Sequence, residues 1–283
     1  MQSHNNTWTE EIKSDNSLWS VNFKEIWKYR DLLIMLVTRD FIAFYKQTIL
    51  GPLWFFVQPI MTTFIYVIVF DKVAKLPTDG IPSMPFYLAG VTIWNYFADC
   101  LTKNSNVFIS NAGVFGKVYF PRLIMPLTIA ISGLMKFSIQ FAVFILVVIY
   151  FTFFKGSIYP NIWILATPFL LILMAGFAMG LGMIFSSLTT KYKDLGFLLS
   201  FGVQLFMYAT PVIYSTSSVP DKYRWVVDKN PLTGIFECFK FAYLGSGHFE
   251  PISLLKSFIS IVILLFIGVI IFNKVEKTFM DTV

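Results

Sequence analysis

Six uncharged or nearly uncharged apolar blocks, most of them close to twenty residues long, constrain this chain more than any other feature. A hydrocarbon core about 30 Å thick takes roughly 20 apolar residues of helix to cross. Inside lipid, every backbone N–H and C=O must be satisfied within the crossing segment, which selects helices. Residues 52–70 carry no charge, and residues 84–102 carry one acid, Asp99, near their end. Residues 123–154 are too long for one perpendicular crossing; their uncharged part, 137–154, suffices, and the earlier part with Lys136 extends the helix beyond the membrane. Further blocks lie at 162–188, 195–214 and 252–272. The pattern predicts an all-α integral membrane protein with six transmembrane helices. Charged residues make up only 13% of the chain, against about a quarter in soluble domains, too few to clothe a water-facing surface.

An even number of crossings puts both termini on one side, and Lys and Arg decide which. With the N-terminus inside, the inner segments hold Arg30, Arg39, Lys46, Lys103, Lys117, Arg122, Lys191, Lys193, Lys274 and Lys277 among others. The short outer segments hold only Lys72, Lys75 and Lys155. Both termini are expected in the cytoplasm. The net charge of +6 is spread between apolar blocks, which suits loops beside anionic membrane lipid and argues against nucleic acid. Residues 1–17 form a polar tail without the basic start and apolar stretch of a cleavable signal.

Two segments differ from plain spans and plain loops. In residues 18–34, Trp19, Phe23, Ile26, Trp27, Leu33 and Ile34 recur at helical spacing, with Lys24, Lys28 and Asp31 largely on another face. This predicts an amphipathic helix lying in the interface plane; a helix packed on another subunit is the alternative. Gly51-Pro52 is a break followed by a favoured helix start. Residues 215–251 hold Pro220, then Asn230 and Pro231, then an apolar stretch from Ile235 to Leu244 that is too short to span. A re-entrant helix pair on the outer side and a small periplasmic cap fit equally well. Gly176 and Gly180, at small-xxx-small spacing, indicate close helix packing.

Motifs for chemistry are missing. Cys100 and Cys238 form no CxxC pair, and His4 and His248 lie far apart. No metal site or catalytic group is predicted. The nearest string to a P-loop, from Gly113 to Val118, has the wrong spacing and no hydroxyl for magnesium. Asp99 and Lys136 are the ionisable groups considered for a coupled ion, and both lie near span ends. The chain therefore uses energy supplied elsewhere or acts passively. Aromatic residues make up 18% of it, which suits interfacial belts and packing, or a passage whose rings stack on sugar faces.

Several strings then coincide in order. They are residues 45–54 with Gln58-Pro59, Tyr119-Phe120-Pro121-Arg122 with Pro126, Tyr192-Lys193-Asp194-Leu195 running to Thr210-Pro211-Val212-Ile213-Tyr214, Asn230-Pro231-Leu232, and residues 275–281. From about Leu18 to the end, the chain resembles the permease subunits of polysaccharide ABC exporters (the type-2 exporters of O-antigen, capsule and teichoic acid), and most of all O-antigen permeases. The resemblance implies a homodimer of six-span permeases in the bacterial inner membrane, docked on two copies of a cytoplasmic ABC ATPase that binds ATP and magnesium. This chain then needs no cofactor and is not an enzyme. It implies an ATPase-coupling element within 103–122, at Val114, Phe115, Gly116 and Lys117, and an outer gate of re-entrant helices including Asn230 and Pro231. It implies a channel along the dimer interface for a lipid-linked polysaccharide, with Trp54, Phe55, Phe206, Tyr208 and Tyr214 as aromatic lining, and Arg122 at the entrance against a lipid diphosphate. The alternatives are a type-2 permease for a lipid or drug and an integral-membrane lipid glycosyltransferase; the latter needs a carboxylate cluster that the sequence lacks.

Overall fold

The computed structural model describes residues 23–46, 51–115, 120–192, 194–247 and 249–279, and these form helices and connecting turns. Helices α1 (Phe23–Lys28) and α2 (Arg30–Lys46) open the described chain. The predicted interface helix 18–34 is thus two pieces broken at Tyr29, and its second piece runs on to Lys46; residues 18–22 lie outside the described residues. Trp27 is 70% exposed while Leu36 and Val37 are buried, so one face of the pair is free and the other packs against the body.

Helix α3 (Trp54–Tyr66) continues as a π-helical turn, Val67–Val73. Then come α4 (Ser83–Ser105), α5 (Val107–Phe115), α6 (Ile124–Phe153), α7 (Thr167–Lys191), α8 (Leu195–Tyr208), α9 (Asp221–Lys229), α10 (Thr233–Leu244) and α11 (Pro251–Phe279). Among the described residues, four segments are long and apolar enough to cross a membrane: Trp54–Val73, Ile124–Phe153, Ile162–Lys191 and Pro251–Val275. Of the other two predicted spans, α4 is long but more polar, and α8 is apolar but only 14 residues long.

Helix α4 is the axle. It packs against α3, α6, α7, α8 and α10, and Phe86, Tyr87, Leu88, Ile93 and Phe97 are all almost completely buried. Small residues set how closely the helices of the bundle approach one another. A Cβ on Gly182 of α7 would lie 2.3 Å from the Cβ of Asn104, and one on Gly268 of α11 would lie 2.5 Å from the carbonyl oxygen of Gly180. Gly176 and Gly180 both face α11, so the predicted small-residue spacing is a packing seam.

The core divides into two parts. The larger cluster surrounds α4 and α10. The smaller one joins Leu36 of α2, Phe108 and Phe115 of α5, Phe120, Ile124 of α6, Met183 of α7 and Phe272 of α11. The bundle therefore has an α5 end and an α10 end. Across α4 and α6, Lys136 Nζ donates to Asp99 Oδ2 at 2.5 Å, so the two ionisable residues considered for a coupled ion are each other's partners.

Candidate functional site

At the α10 end, two side chains hold one turn. Helix α8 stops at Tyr208, six residues short of the predicted end of that block. The physical cause lies in Pro211, which has no N–H to donate and which biases Thr210 away from helical geometry. The carbonyls freed at the helix end need donors. The Asn230 amide supplies two bonds, to the Ala209 carbonyl at 3.0 Å and to Thr210 Oγ1 at 2.9 Å, while its own carbonyl accepts from Leu232 N at 2.9 Å. Lys240 serves the turn that follows. Its Nζ donates to the carbonyls of Pro211 at 2.7 Å, Val212 at 3.2 Å and Tyr214 at 3.4 Å, and it lies 3.8 Å from the Phe86 ring centroid. Lys240 is only 7% exposed. A buried ammonium needs such a cage, because an unpaired charge away from water is prohibitively costly.

The same turn is closed from the other side by Asp79, in the connection before α4. Its carboxylate accepts from the hydroxyls of Ser215 and Ser217. Gly90 of α4 lies directly beneath, where a Cβ would come within 2.4 Å of the Val212 carbonyl. A small cavity remains between Asp79, Phe86, Tyr214, Glu237 and Lys240. Tyr214 thus belongs to this knot.

Helices α9 and α10 make the hairpin that carries the knot. Helix α9 exposes Tyr223 and Trp225. Helix α10 is enclosed by α4, α7, α11 and the turn Ile162–Ala166, and nearly all of its residues are buried. Pro231 lies at the apex of the hairpin, half-buried, and the Thr233 hydroxyl donates back to the Val227 carbonyl at 2.6 Å. The connection before α7 is pinned to the end of α10: Asn161 Nδ2 donates to the Phe241 carbonyl at 2.9 Å, and the Thr167 and Tyr243 hydroxyls lie 2.7 Å apart.

At the α5 end, the expected coupling element is a short helix. Val107, Phe108 and Phe115 of α5 face inward, whereas Ile109 and Gly113 are exposed and Val114 is half-exposed. Phe115 is 5% exposed and stacks on Phe120, so it anchors the helix instead of projecting from it. The Arg122 guanidinium lies 5.5 Å over the Phe115 ring. Gly116 and Lys117 lie outside the described residues.

The five predicted aromatics separate by rotation. Trp54 on α3 and Tyr208 on α8 are exposed, 47% and 56% respectively. Phe55 is buried, and Phe206 packs against Trp94, Phe97 and Phe177. Only the first pair faces outward from this chain. Lys240, absent from the sequence-based candidates, is the group that reasoning on intramembrane ionisable residues had the means to find: it is the one lysine in the apolar stretch 235–244.

Residues 31–244, from α2 through the last residue of α10, match the ABC-2 type transporter family. This chain belongs to that family. Similar relatives include two "O-antigen export system permease protein RfbA" sequences from Klebsiella pneumoniae, each 31% identical over 253 residues, covering 89% of this chain and 94% of the relative. A Myxococcus xanthus protein of the same description is 26% identical over 203 residues, covering 70% of this chain and 74% of its own length. The ABC-2 match includes the whole knot around Asn230 and Lys240, as well as α5 and both exposed aromatics.

Proposed function

We propose that this chain is the channel-forming subunit of an ATP-driven exporter that moves a lipid-linked, O-antigen-like polysaccharide across the bacterial inner membrane. The observation that carries the reading is the near end-to-end similarity to O-antigen export permeases within the ABC-2 family. In this reading the chain crosses the membrane six times, through α3, α4, α6, α7, α8 and α11, with both termini in the cytoplasm. Helix α4 crosses despite its polarity because other helices surround it. The Gly51-Pro52 break turns α2, lying along the surface, into α3.

Two copies of the chain assemble with two copies of a cytoplasmic ABC ATPase, and ATP and magnesium bind there. Helix α5, seated by Phe108 and Phe115, is the rigid element that enters the ATPase surface, with Val114, Gly116 and Lys117 at the contact. Because α5 follows α4 after a single intervening residue, Asn106, a push on α5 reaches the axle of the bundle directly. The α9–α10 hairpin is the outer gate, and its hinge is the turn held by Asn230 and Lys240. Arg122 meets the lipid diphosphate at the cytoplasmic entrance, since guanidinium pairs with phosphate in a planar fork.

Co-expression with the ABC ATPase of a polysaccharide exporter from the same cells, followed by purification through a tag on the ATPase alone, tests this reading. The expected result is a stable complex that hydrolyses ATP. Failure of the two chains to associate would overturn the reading.

A further inference from the structure

Three glutamines lie on apolar helices among the described residues: Gln58 on α3, Gln140 on α6 and Gln204 on α8. Gln140 is 1% exposed, and its Oε1 accepts from Asn95 Nδ2 at 3.4 Å. Gln58 and Gln204 are the opposite case. Both point outward from the chain, and neither makes a hydrogen bond to any described residue. Facing hydrocarbon, such an amide leaves two donors and an acceptor unmet, at a cost of several kcal/mol. Polar side chains within membrane helices accordingly face protein or a water-filled passage. The faces that carry Gln58 and Gln204 are therefore not lipid faces.

Each amide stands one turn from an exposed ring. Trp54 and Gln58 are four residues apart on α3, as are Gln204 and Tyr208 on α8, so each pair shares a face. Ser200 continues the α8 row a further turn, also exposed; four residues of helix advance about 6 Å. The two helices meet at their C-terminal ends, where the Tyr66 hydroxyl lies 3.5 Å from Met207 Sδ. A hydroxyl, an amide and a ring at successive turns of α8, beside a ring and an amide on α3, match one kind of occupant. An acyl tail has nothing for the amides, whereas a glycan offers hydroxyls to the amides and an apolar ring face to Trp and Tyr.

We propose that Gln58 and Gln204 are substrate-positioning residues whose side-chain amides hydrogen-bond successive sugar hydroxyls of the polymer as it passes Trp54 and Tyr208. This deepens the exporter reading above and rests on it. The amides give the polymer exchangeable contacts of modest strength, so that it is guided without being held.

The test uses the full chain in cells that make the polymer but lack the permease. Wild type, Gln58→Leu, Gln204→Leu, the double variant and Gln204→Asn are expressed in turn. Surface polysaccharide is resolved by length on gels, and assembly is scored by co-purification with the ATPase. The double Leu variant is expected to assemble in wild-type amounts and to lose on the order of tenfold in export, as removal of two hydrogen-bond partners implies. Gln204→Asn, which keeps an amide, is expected to export more than Gln204→Leu. Full export by the double Leu variant would assign these faces to lipid and overturn the proposal. Loss of assembly would make them protein contacts and overturn it equally. A wild-type chain that restores no polysaccharide in the same cells would instead sink the exporter reading, and the proposal with it.

Discussion

Helices α4 and α11 are both long enough to cross a membrane, yet they are built on opposite rules. Helix α4 carries Thr92, Asn95, Asp99, Asn104 and Ser105, and it is covered on almost every side by other helices. Helix α11 packs on α7 and, at its N-terminal end, on α10, and otherwise presents Ile252, Leu255, Phe258, Ile259, Val262, Ile263 and Phe266 outward. The polar groups of α4 are met partly by its own backbone and partly by α6: the Thr92 hydroxyl donates to the Leu88 carbonyl and Asn104 Nδ2 to the Cys100 carbonyl, each one turn back on the same helix, while Asn95 donates to Gln140 and Asp99 accepts from Lys136 across the α4–α6 contact. Apolarity alone thus reports what a helix touches more than whether it crosses.

That difference has measurable consequences. The largest is on α11. Placing a lysine at Ile263, near mid-helix and 55% exposed, should cost about 3 kcal/mol of membrane insertion. A glycosylation-reporter insertion assay reads it directly, and an unaffected variant would mean that α11 does not face lipid there.

Next comes Lys240→Met, which keeps the length of the side chain but leaves the carbonyls of Pro211, Val212 and Tyr214 without their donor. The expected loss is about 2 kcal/mol, seen as a lower unfolding temperature of the purified complex. A similar loss, about 2 kcal/mol, should follow from Gly90→Ala, since the added methyl meets the Val212 backbone and neither side can yield cheaply. If Gly90→Ala leaves stability and export untouched, the 209–214 turn is not seated on α4.

The smallest effect belongs to the Asp99–Lys136 pair. Its side chains are 37% and 17% exposed, so solvent screens it, and a double-mutant cycle with Asp99→Asn and Lys136→Met should return at most about 1 kcal/mol. Export abolished by Asp99→Asn with stability intact would give the pair a role in coupling that its geometry does not suggest.

Much of the fold was legible because membrane helices announce themselves by length and charge. The blocks 84–102 and 123–154 correspond closely to α4 and α6. The block 195–214 is longer than α8, because apolarity runs through Pro211 while the helix does not. The segment 18–34 has the periodicity of one helix, although the chain breaks at Tyr29 and the second piece buries Leu36 and Val37. The knot at the α10 end was out of reach for a different reason. Lys240 takes its partners from residues 26 to 29 positions earlier, and Asp79 reaches across more than 130 positions to Ser215 and Ser217. Spacing in the sequence says nothing about such pairings. Rotation was hidden too: Trp54 and Phe55 are neighbours of the same chemistry, and only packing decides that Trp54 faces out and Phe55 in.

Photo-crosslinking in cells that make the polymer tests the central claim most directly. A benzophenone amino acid replaces Tyr208 in one variant and Ile263 in another, and the irradiated protein is resolved on gels beside its unirradiated control. The account predicts a ladder of polysaccharide adducts from position 208 and none from 263. Adducts at both positions, at neither, or lipid alone at 208 would contradict it.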